Sequence, residues 1–294
     1  MLKIKLKMSI KKVIHVSDIH IRNYQRMEEY AEQLTKFVDT CSEIAEPYDK
    51  DEVRIVISGD ILHHKNTLSP ESIAFVSTFL RQLQEIAKVL VIAGNHDLIV
   101  NNASRKDAIS AIFETACFEN CFLLDAELGY ESGYVIDDNV TWVVYSIFND
   151  YIRPDIEQAR IDHPNNTVIG LYHGMMVGAT LQNGFVSEHG VSSDIFFGCD
   201  AVMAGDIHKF QEIKRNGIKI VYSSSLIQQT FGETLNMHGF CVWDMEDLTY
   251  EFIELETEYG LYDMEISSIE DLDEDKVTIK NLGDLNSLGL NKLC

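Results

Sequence analysis

Between Lys219 and Lys276 the chain carries no lysine or arginine, while fifteen acidic residues fall in that interval. The formal net charge is −23. Such a balance argues against a chain built chiefly to coat nucleic acid, because phosphate binding usually wants a basic footprint. Proline is scarce, with four in 294 residues, and hydrophobic residues make up 46%. That composition excludes a disordered chain and suits one large α/β domain with at most a small appendage. No apolar run approaches the roughly 20 residues that a membrane-spanning helix needs, so no membrane partner is expected. The six cysteines include no Cys-x-x-Cys pair, and no second pair matches Cys117 and Cys121. Neither a zinc–thiolate site nor a disulfide framework is expected, only buried or incidental thiols. The first residues, Met1 to Lys7, alternate apolar and basic as an edge strand does. They lack the apolar core and cleavage site of a secretory signal, with Met8 an alternative start. The expected location is the cytoplasm.

What the sequence does have is a set of apolar runs that break into polar residues. Val89 to Ala93 ends in Gly94-Asn95-His96-Asp97. Val13 to Ser17 runs into Asp18-Ile19-His20, Val53 to Ser58 into Gly59-Asp60, and Ala201 to Ala204 into Gly205-Asp206-Ile207-His208. Each reads as a buried strand delivering polar side chains to its carboxyl end, the edge where open α/β sheets bind ligands. Thr167–Tyr172 ends likewise on His173.

Between these runs the spacing turns helical. Tyr24 to Glu46 places Tyr30, Leu34, Phe37, Val38, Cys41 and Ile44 on one face, ending before Pro47. Ser69-Pro70-Glu71 has the N-cap hydroxyl, first-position proline and early acid of a helix start, running to about Ala87. A further helix is expected over Ser104 to Ala116 and another over Pro154–Ile161. Strand, helix, strand, helix, strand implies a parallel sheet with crossover helices. The second half is richer in strands: Cys121–Leu124, Tyr134–Ile136, Val140–Ile147, and two hairpins. Asn216-Gly217 joins Phe210–Ile213 to Ile218–Tyr222 as a type I′ turn, and Gly239–Asp244 pairs with Thr249–Glu254. The expectation is a four-layer α/β/β/α sandwich of two mixed sheets flanked by helices. Residues 1–256 would form the catalytic domain, and 257–294 an acidic extension with one further strand at Lys276–Lys280.

Asp18 and His20 lie two apart, so on a continuing strand both would face one side. Asp60 is a candidate bridging carboxylate, and Asn95, His173, Asp206 and His208 complete a mixed nitrogen and oxygen donor set. Such a set favours manganese, iron, magnesium or zinc over thiolate-seeking metals. Taken alone, His15 reads as a core residue, and His64, His163, His189 and His238 as surface or loop residues. Basic residues follow the motif loops (Arg22 and Arg26, Lys65, Arg105 and Lys106, Arg153, Lys209), as solvated side chains or as a basic rim to an acidic pocket.

Asp-x-His, Gly-Asp, Gly-Asn-His-Asp, a strand-end His and Gly-x-x-His, in that order, resemble the calcineurin-like metallophosphoesterases. Within them the chain looks most like the SbcD-type nuclease subunits of break repair and recombination. Gly59-Asp60-Ile61-Leu62-His63, Leu68-Ser69-Pro70, Tyr222-Ser-Ser-Ser225, Phe231-Gly-Glu233 and Gly239-Phe240 carry that likeness, which covers roughly Val13 to Glu256. The resemblance implies one metal on Asp18, His20, Asp60 and His208, and a second on Asp60, Asn95, His173 and Asp206. It implies a leaving-group role for His96 and a substrate-orienting role for His63, with Arg22, Lys65 and Lys209 as substrate contacts. It further implies two divalent ions, Mn²⁺ first among them, DNA as substrate, an SbcC-type coiled-coil ATPase partner and a homodimer. A small-molecule phosphodiesterase or a non-catalytic scaffold are the alternatives. One departure stands out: the family's Gly-His-x-His reads Gly205-Asp206-Ile207-His208 here. Asp206 is thus a harder ligand for the second ion, or an acceptor behind a ligand histidine, or the mark of a lost metal.

Overall fold

The computed structural model describes residues 9–22, 24–65, 67–98, 106–261 and 292–293. Two six-stranded mixed sheets face each other. The first has the order β12-β11-β1-β2-β3-β4, built from β1 (Lys12–Val16), β2 (Val53–Ser58), β3 (Lys88–Ile92), β4 (Cys121–Leu123), β11 (Gly239–Asp244) and β12 (Tyr250–Glu254). The second has the order β5-β6-β7-β8-β10-β9, from β5 (Gly133–Asp137), β6 (Val140–Tyr145), β7 (Thr167–His173), β8 (Ala201–Gly205), β9 (Gln211–Arg215) and β10 (Ile218–Tyr222). Strands β1 to β4 run parallel, as do β6, β7, β8 and β10, and β11, β12, β5 and β9 pair antiparallel.

Strand alternation sorts the core into three layers. Ile14, Val16, Ile55, Ile57, Val89 and Val91 pack outward against Tyr30, Leu34, Phe37, Val76, Phe79, Leu80 and Leu83. The latter come from α1 (Met27–Ala45) and α2 (Pro70–Ile86). Val13, Val56 and Leu90 point inward to meet Trp142, Ile169, Leu171 and Met203 of the second sheet. That sheet's outer residues, including Val168, Tyr172, Val202 and Ile220, are covered by Ile156, Ala159, Phe196 and Met176. Its cover is thinner: one short helix over Ile156–Asp162, 3₁₀ turns and the loop 174–192. His173 sits at the last position of β7 and Ser58 at the last of β2, so the cleft between the sheets opens at their carboxyl ends.

Several boundaries differ from the sequence reading. The first helix begins at Met27 rather than Tyr24, because Tyr24 and Arg26 adopt left-handed φ values of 56° and 54°. Arg26 is committed to Glu29 and to the Gln228 carbonyl. Leu124 leaves the strand to start a one-turn helix over Leu124–Glu127, and Ser146 ends β6 by capping the 3₁₀ turn Ile147–Asn149. The third helix spans Ala108–Ala116 with Asp107 as its cap; the start expected at Ser104 lies outside the described residues. So do the edge strand at 1–7, the strand at 276–280 and most of the acidic extension. Asn216 and Gly217 both take positive φ, at 52° and 83°, as a type I′ turn requires. Among the described residues no helix is long and apolar enough to cross a membrane.

Candidate metal centre

The loops after β1 and β2 continue side by side beyond their strands. Asp18 N–H donates to the Gly59 carbonyl (3.1 Å), His20 N–H to the Asp60 carbonyl (3.0 Å), and Ile21 N–H to the Ile61 carbonyl (2.9 Å). This is not the continuing strand that the spacing of Asp18 and His20 suggests. Asp18, His20 and Asp60 all take left-handed φ values between 52° and 56°. The two side chains converge because the backbone coils, a strained conformation for non-glycine residues.

One cluster gathers around the tip of His20. Its Nε2 lies 3.0 Å from His208 Nε2, 3.5 Å from Asp60 Oδ2 and 3.9 Å from Asp18 Oδ1, and His208 Nε2 is 3.8 Å from the same Asp18 oxygen. A second surrounds the other oxygen of Asp60. His173 Nε2 is 3.4 Å from Asp60 Oδ1 and 3.9 Å from Asp206 Oδ1, which accepts from Asn95 Nδ2 at 2.8 Å. Asp60 therefore presents one carboxylate oxygen to each cluster. Glycine is needed beside it, since a Cβ at Gly94 would overlap the Asp60 carboxylate and one at Gly59 the His173 ring. A third grouping, His20, His63 and His96, also brings ligand atoms within 4.8 Å of one another. His63 and His96 stack, with ring centroids 5.3 Å apart.

The donor chemistry fits metal ions. His173 Nε2 and Asn95 Oδ1 are buried and have no hydrogen-bond partner, an expensive condition for polar atoms. The other nitrogen of each key histidine is already committed: His173 Nδ1 to the Ser58 carbonyl (2.7 Å), His208 Nδ1 to Glu233 Oε1 (2.9 Å). Facing a carbonyl and a carboxylate, each Nδ1 carries a proton, so Nε2 is the nitrogen turned toward the cleft. Two Nε2 atoms 3.0 Å apart, on His20 and His208, suit a shared cation.

The ionisation of the groups follows their surroundings. Burial pushes Asp18 up to about 6, against the pull of His208 and His173. Burial opposes the Asp60 charge too, but His173 and His20 outweigh it and hold the carboxylate below its usual range. Burial drives His20 well down, with His208, His96 and His63 adding to the effect against Asp60. Burial, then Arg22 and His96, lower His63 to about 4.

Supporting residues surround these donors. Asp97 Oδ2 accepts from the Asp60 and Gly94 N–H groups and its Oδ1 from Leu62 N–H, all at 2.9 Å, so it braces two motif loops at once. Glu233, quoted in the sequence only as part of a signature, orients His208. Tyr30 donates to the His20 carbonyl at 2.5 Å, and Ser224 to the His208 carbonyl at 2.7 Å. Nothing local in the sequence marks Glu233 as the partner of His208, which lies 25 positions away. His238, expected as a surface or loop residue, lies in the loop before β11 but is buried, between Ser225 Oγ (3.0 Å) and the Thr234 carbonyl (2.8 Å). His15 is buried against Ser58 Oγ.

The basic residues are mostly engaged. Arg22 donates to the Gln229 carbonyl, Arg26 to Glu29 and Gln228, Arg153 to Glu157 and the Phe197 carbonyl, and Lys106 to Glu114. Lys209 is exposed and Lys65 half-buried, while Arg105 lies outside the described residues.

The sequence pattern of the calcineurin-like phosphoesterases matches residues 11–210, spanning every donor above. The chain belongs to that family. The family is one of phosphoesterases, hydrolases of ester bonds, and the His and Asp clusters within the match could hold divalent ions. "Uncharacterized protein R555" of Acanthamoeba polyphaga mimivirus is 37% identical over 265 residues, 86% of this chain. The chain spans only 19% of that relative's length. "Putative phosphoesterase 244L" of Invertebrate iridescent virus 6 is 25% identical over 95% of this chain and 89% of its own. A solved archaeal phosphodiesterase aligns over 83% of this chain and 99% of its own at 12% identity and TM-score 0.39, too distant to carry an argument.

Proposed function

We propose that this phosphoesterase is a two-metal DNA nuclease of the SbcD type, cleaving phosphodiester bonds with Mn²⁺ as the preferred ion. The observation that carries the two-ion reading is Asp60, one oxygen turned to His20 and the other to His173, with unpartnered donors on His173 and Asn95 beside it. Asp18, His20, Asp60 and His208 would hold one ion, and Asp60, Asn95, His173 and Asp206 the other. Bound there, the ions supply neutralisation of phosphate charge and a water activated for in-line attack. Asp206 in place of the family's histidine makes the second site harder, favouring Mn²⁺ or Mg²⁺.

The chain's own residues have distinct parts. His96 donates Nδ1–H to the His63 carbonyl at 2.8 Å, which fixes its ring; when the imidazole also carries a proton on Nε2, that proton passes to the departing oxygen. His63, stacked on it, orients the leaving strand. Arg22, Lys65 and Lys209 contact flanking phosphates. The ordered motifs from Asp18 to Glu233 support DNA as substrate, and with it an SbcC-type ATPase partner, a homodimer, and the division into a catalytic domain at 1–256 and an extension at 257–294. A small phosphodiester substrate is the second reading, favoured by the engaged arginines and the acidic net charge.

Assays of the Mn²⁺-loaded protein on DNA ends and on bis-p-nitrophenyl phosphate separate the two. DNA cleavage supports the nuclease; turnover of the small ester alone supports the second reading. His96→Asn should lower the DNA rate by about 10²–10⁴-fold at unchanged metal content. A full rate in that variant removes the leaving-group role.

A further inference from the structure

Three consecutive backbone carbonyls, from the last residue of β7 onward, each accept a hydrogen bond from a different tyrosine. Tyr151 donates to the His173 carbonyl (2.8 Å), Tyr222 to the Gly174 carbonyl (2.9 Å), and Tyr172 to the Met175 carbonyl (2.8 Å). The three come from separate places: the turn after the 3₁₀ segment at 147–149, the end of β10, and β7 itself. Tyr172 and Tyr222 are fully buried, and the Tyr151 and Tyr172 rings meet edge to face at 5.1 Å. Gly174 must be glycine for this arrangement, since a Cβ there would lie 2.5 Å from the Tyr172 hydroxyl and 3.1 Å from that of Tyr151.

We propose that Tyr151, Tyr172 and Tyr222 are positioning residues, clamping the backbone at 173–175 so that His173 presents its Nε2 to the second metal ion. The need for a clamp comes from the topology. The ladder between β7 and β8 ends at His173 and Gly205, with Gly174 N–H to the Gly205 carbonyl as its last bond. Directly beyond lies the loop 174–192, which buries Met176 and Ala179 in the outer core but exposes Val177, Phe185 and Val186 farther along. The imidazole itself has one fixed bond, Nδ1 to the Ser58 carbonyl. Without the hydroxyls, displacement of the loop is transmitted straight to the ligand, and small ligand displacements are costly at preorganised sites. With them, the loop can shift while His173 stays in register.

This inference rests on the two-ion reading, and the test distinguishes the two. Tyr→Phe changes keep the rings and remove only the hydroxyls. Mn²⁺ titration by calorimetry, with electron paramagnetic resonance for the coupled ion pair, is applied to the wild type, to Tyr151→Phe/Tyr222→Phe, and to Tyr145→Phe. Tyr145 is the matched control, a buried tyrosine of the same layer whose hydroxyl serves the Ile195 carbonyl instead. The clamp predicts two ions in the wild type. In the double variant one ion, assigned to the His173 site, loses at least tenfold in affinity and the coupled-pair signal falls, while the other stays within twofold. Tyr145→Phe should match the wild type. Unchanged binding of both ions in the double variant overturns the clamp, and so does an equal loss in Tyr145→Phe. Fewer than two ions in the wild type overturns the two-ion reading, and the clamp with it.

Discussion

Glu233 uses both carboxylate oxygens, one for His208 Nδ1 at 2.9 Å and one for the Gln229 N–H at 2.8 Å. Glutamine offers a single acceptor in their place, so Glu233→Gln must leave one of those donors unserved and removes the charge facing the imidazole. Loss of such a supporting partner typically costs about 10–100-fold in metal affinity, and Mn²⁺ titration of the variant checks it; an unchanged affinity would show that His208 is held by its backbone alone. At this scale the donor types were legible in the sequence, because Asp, His and Asn at strand ends have few other uses in such number. Their geometry was not. Alternation along a strand was the wrong reason for Asp18 and His20 to share a face; left-handed turns at both residues bring them together. Nor could spacing show that Asp97 serves three N–H groups from two loops, since those loops are distant in sequence.

Helices and strands were legible where local chemistry decides them. Ser69 caps α2 as its sequence suggests, accepting from Ser72 N–H at 3.1 Å with Pro70 following. Ser69→Ala should therefore lower the unfolding free energy by about 1 kcal/mol, measured by urea titration, and no change would mean that Pro70 and the packing of Val76, Phe79 and Leu83 suffice. Boundaries failed where a distant residue intervened. Arg26 is drawn to the Gln228 carbonyl, more than 200 positions away, and holds the chain out of helix until Met27. Ser146 stops β6 because its hydroxyl is bound to buried Asp125 at 2.5 Å.

Across the molecule, the pairing of the sheets depends on contacts that no local pattern reveals. Arg54 points inward from β2 and makes a two-bond pair with Asp137 of the opposite sheet, at 2.6 and 2.9 Å, while Lys88 of β3 reaches the same carboxylate at 2.8 Å. Burial works against the Asp137 charge, but Arg54 and Lys88 outweigh it and bring its pKa down to about 2. An unfolded aspartate titrates near ~3.9, so the stabilisation is complete above that pH and is lost as pH falls through about 2. It amounts to roughly 1–2 kcal/mol after allowance for partial exposure. At neutral pH Asp137→Asn leaves buried Arg54 only the more distant Asp138 carboxylate, at 3.7 Å, and should cost about 3 kcal/mol. In unfolding followed by the fluorescence of the two buried tryptophans, Trp142 and Trp243, with a chelator present, the gap between wild type and variant should narrow from pH 6 to pH 2. A constant gap would contradict the linkage.

The claim on which the rest depends is that Asp60 serves two divalent ions at once. Anomalous diffraction from crystals grown with Mn²⁺ tests it directly. The account predicts two peaks on either side of Asp60, one against Asp18, His20 and His208, the other against Asn95, His173 and Asp206. A single peak, or one held by His63 and His96 with nothing beside Asn95 and His173, would contradict it.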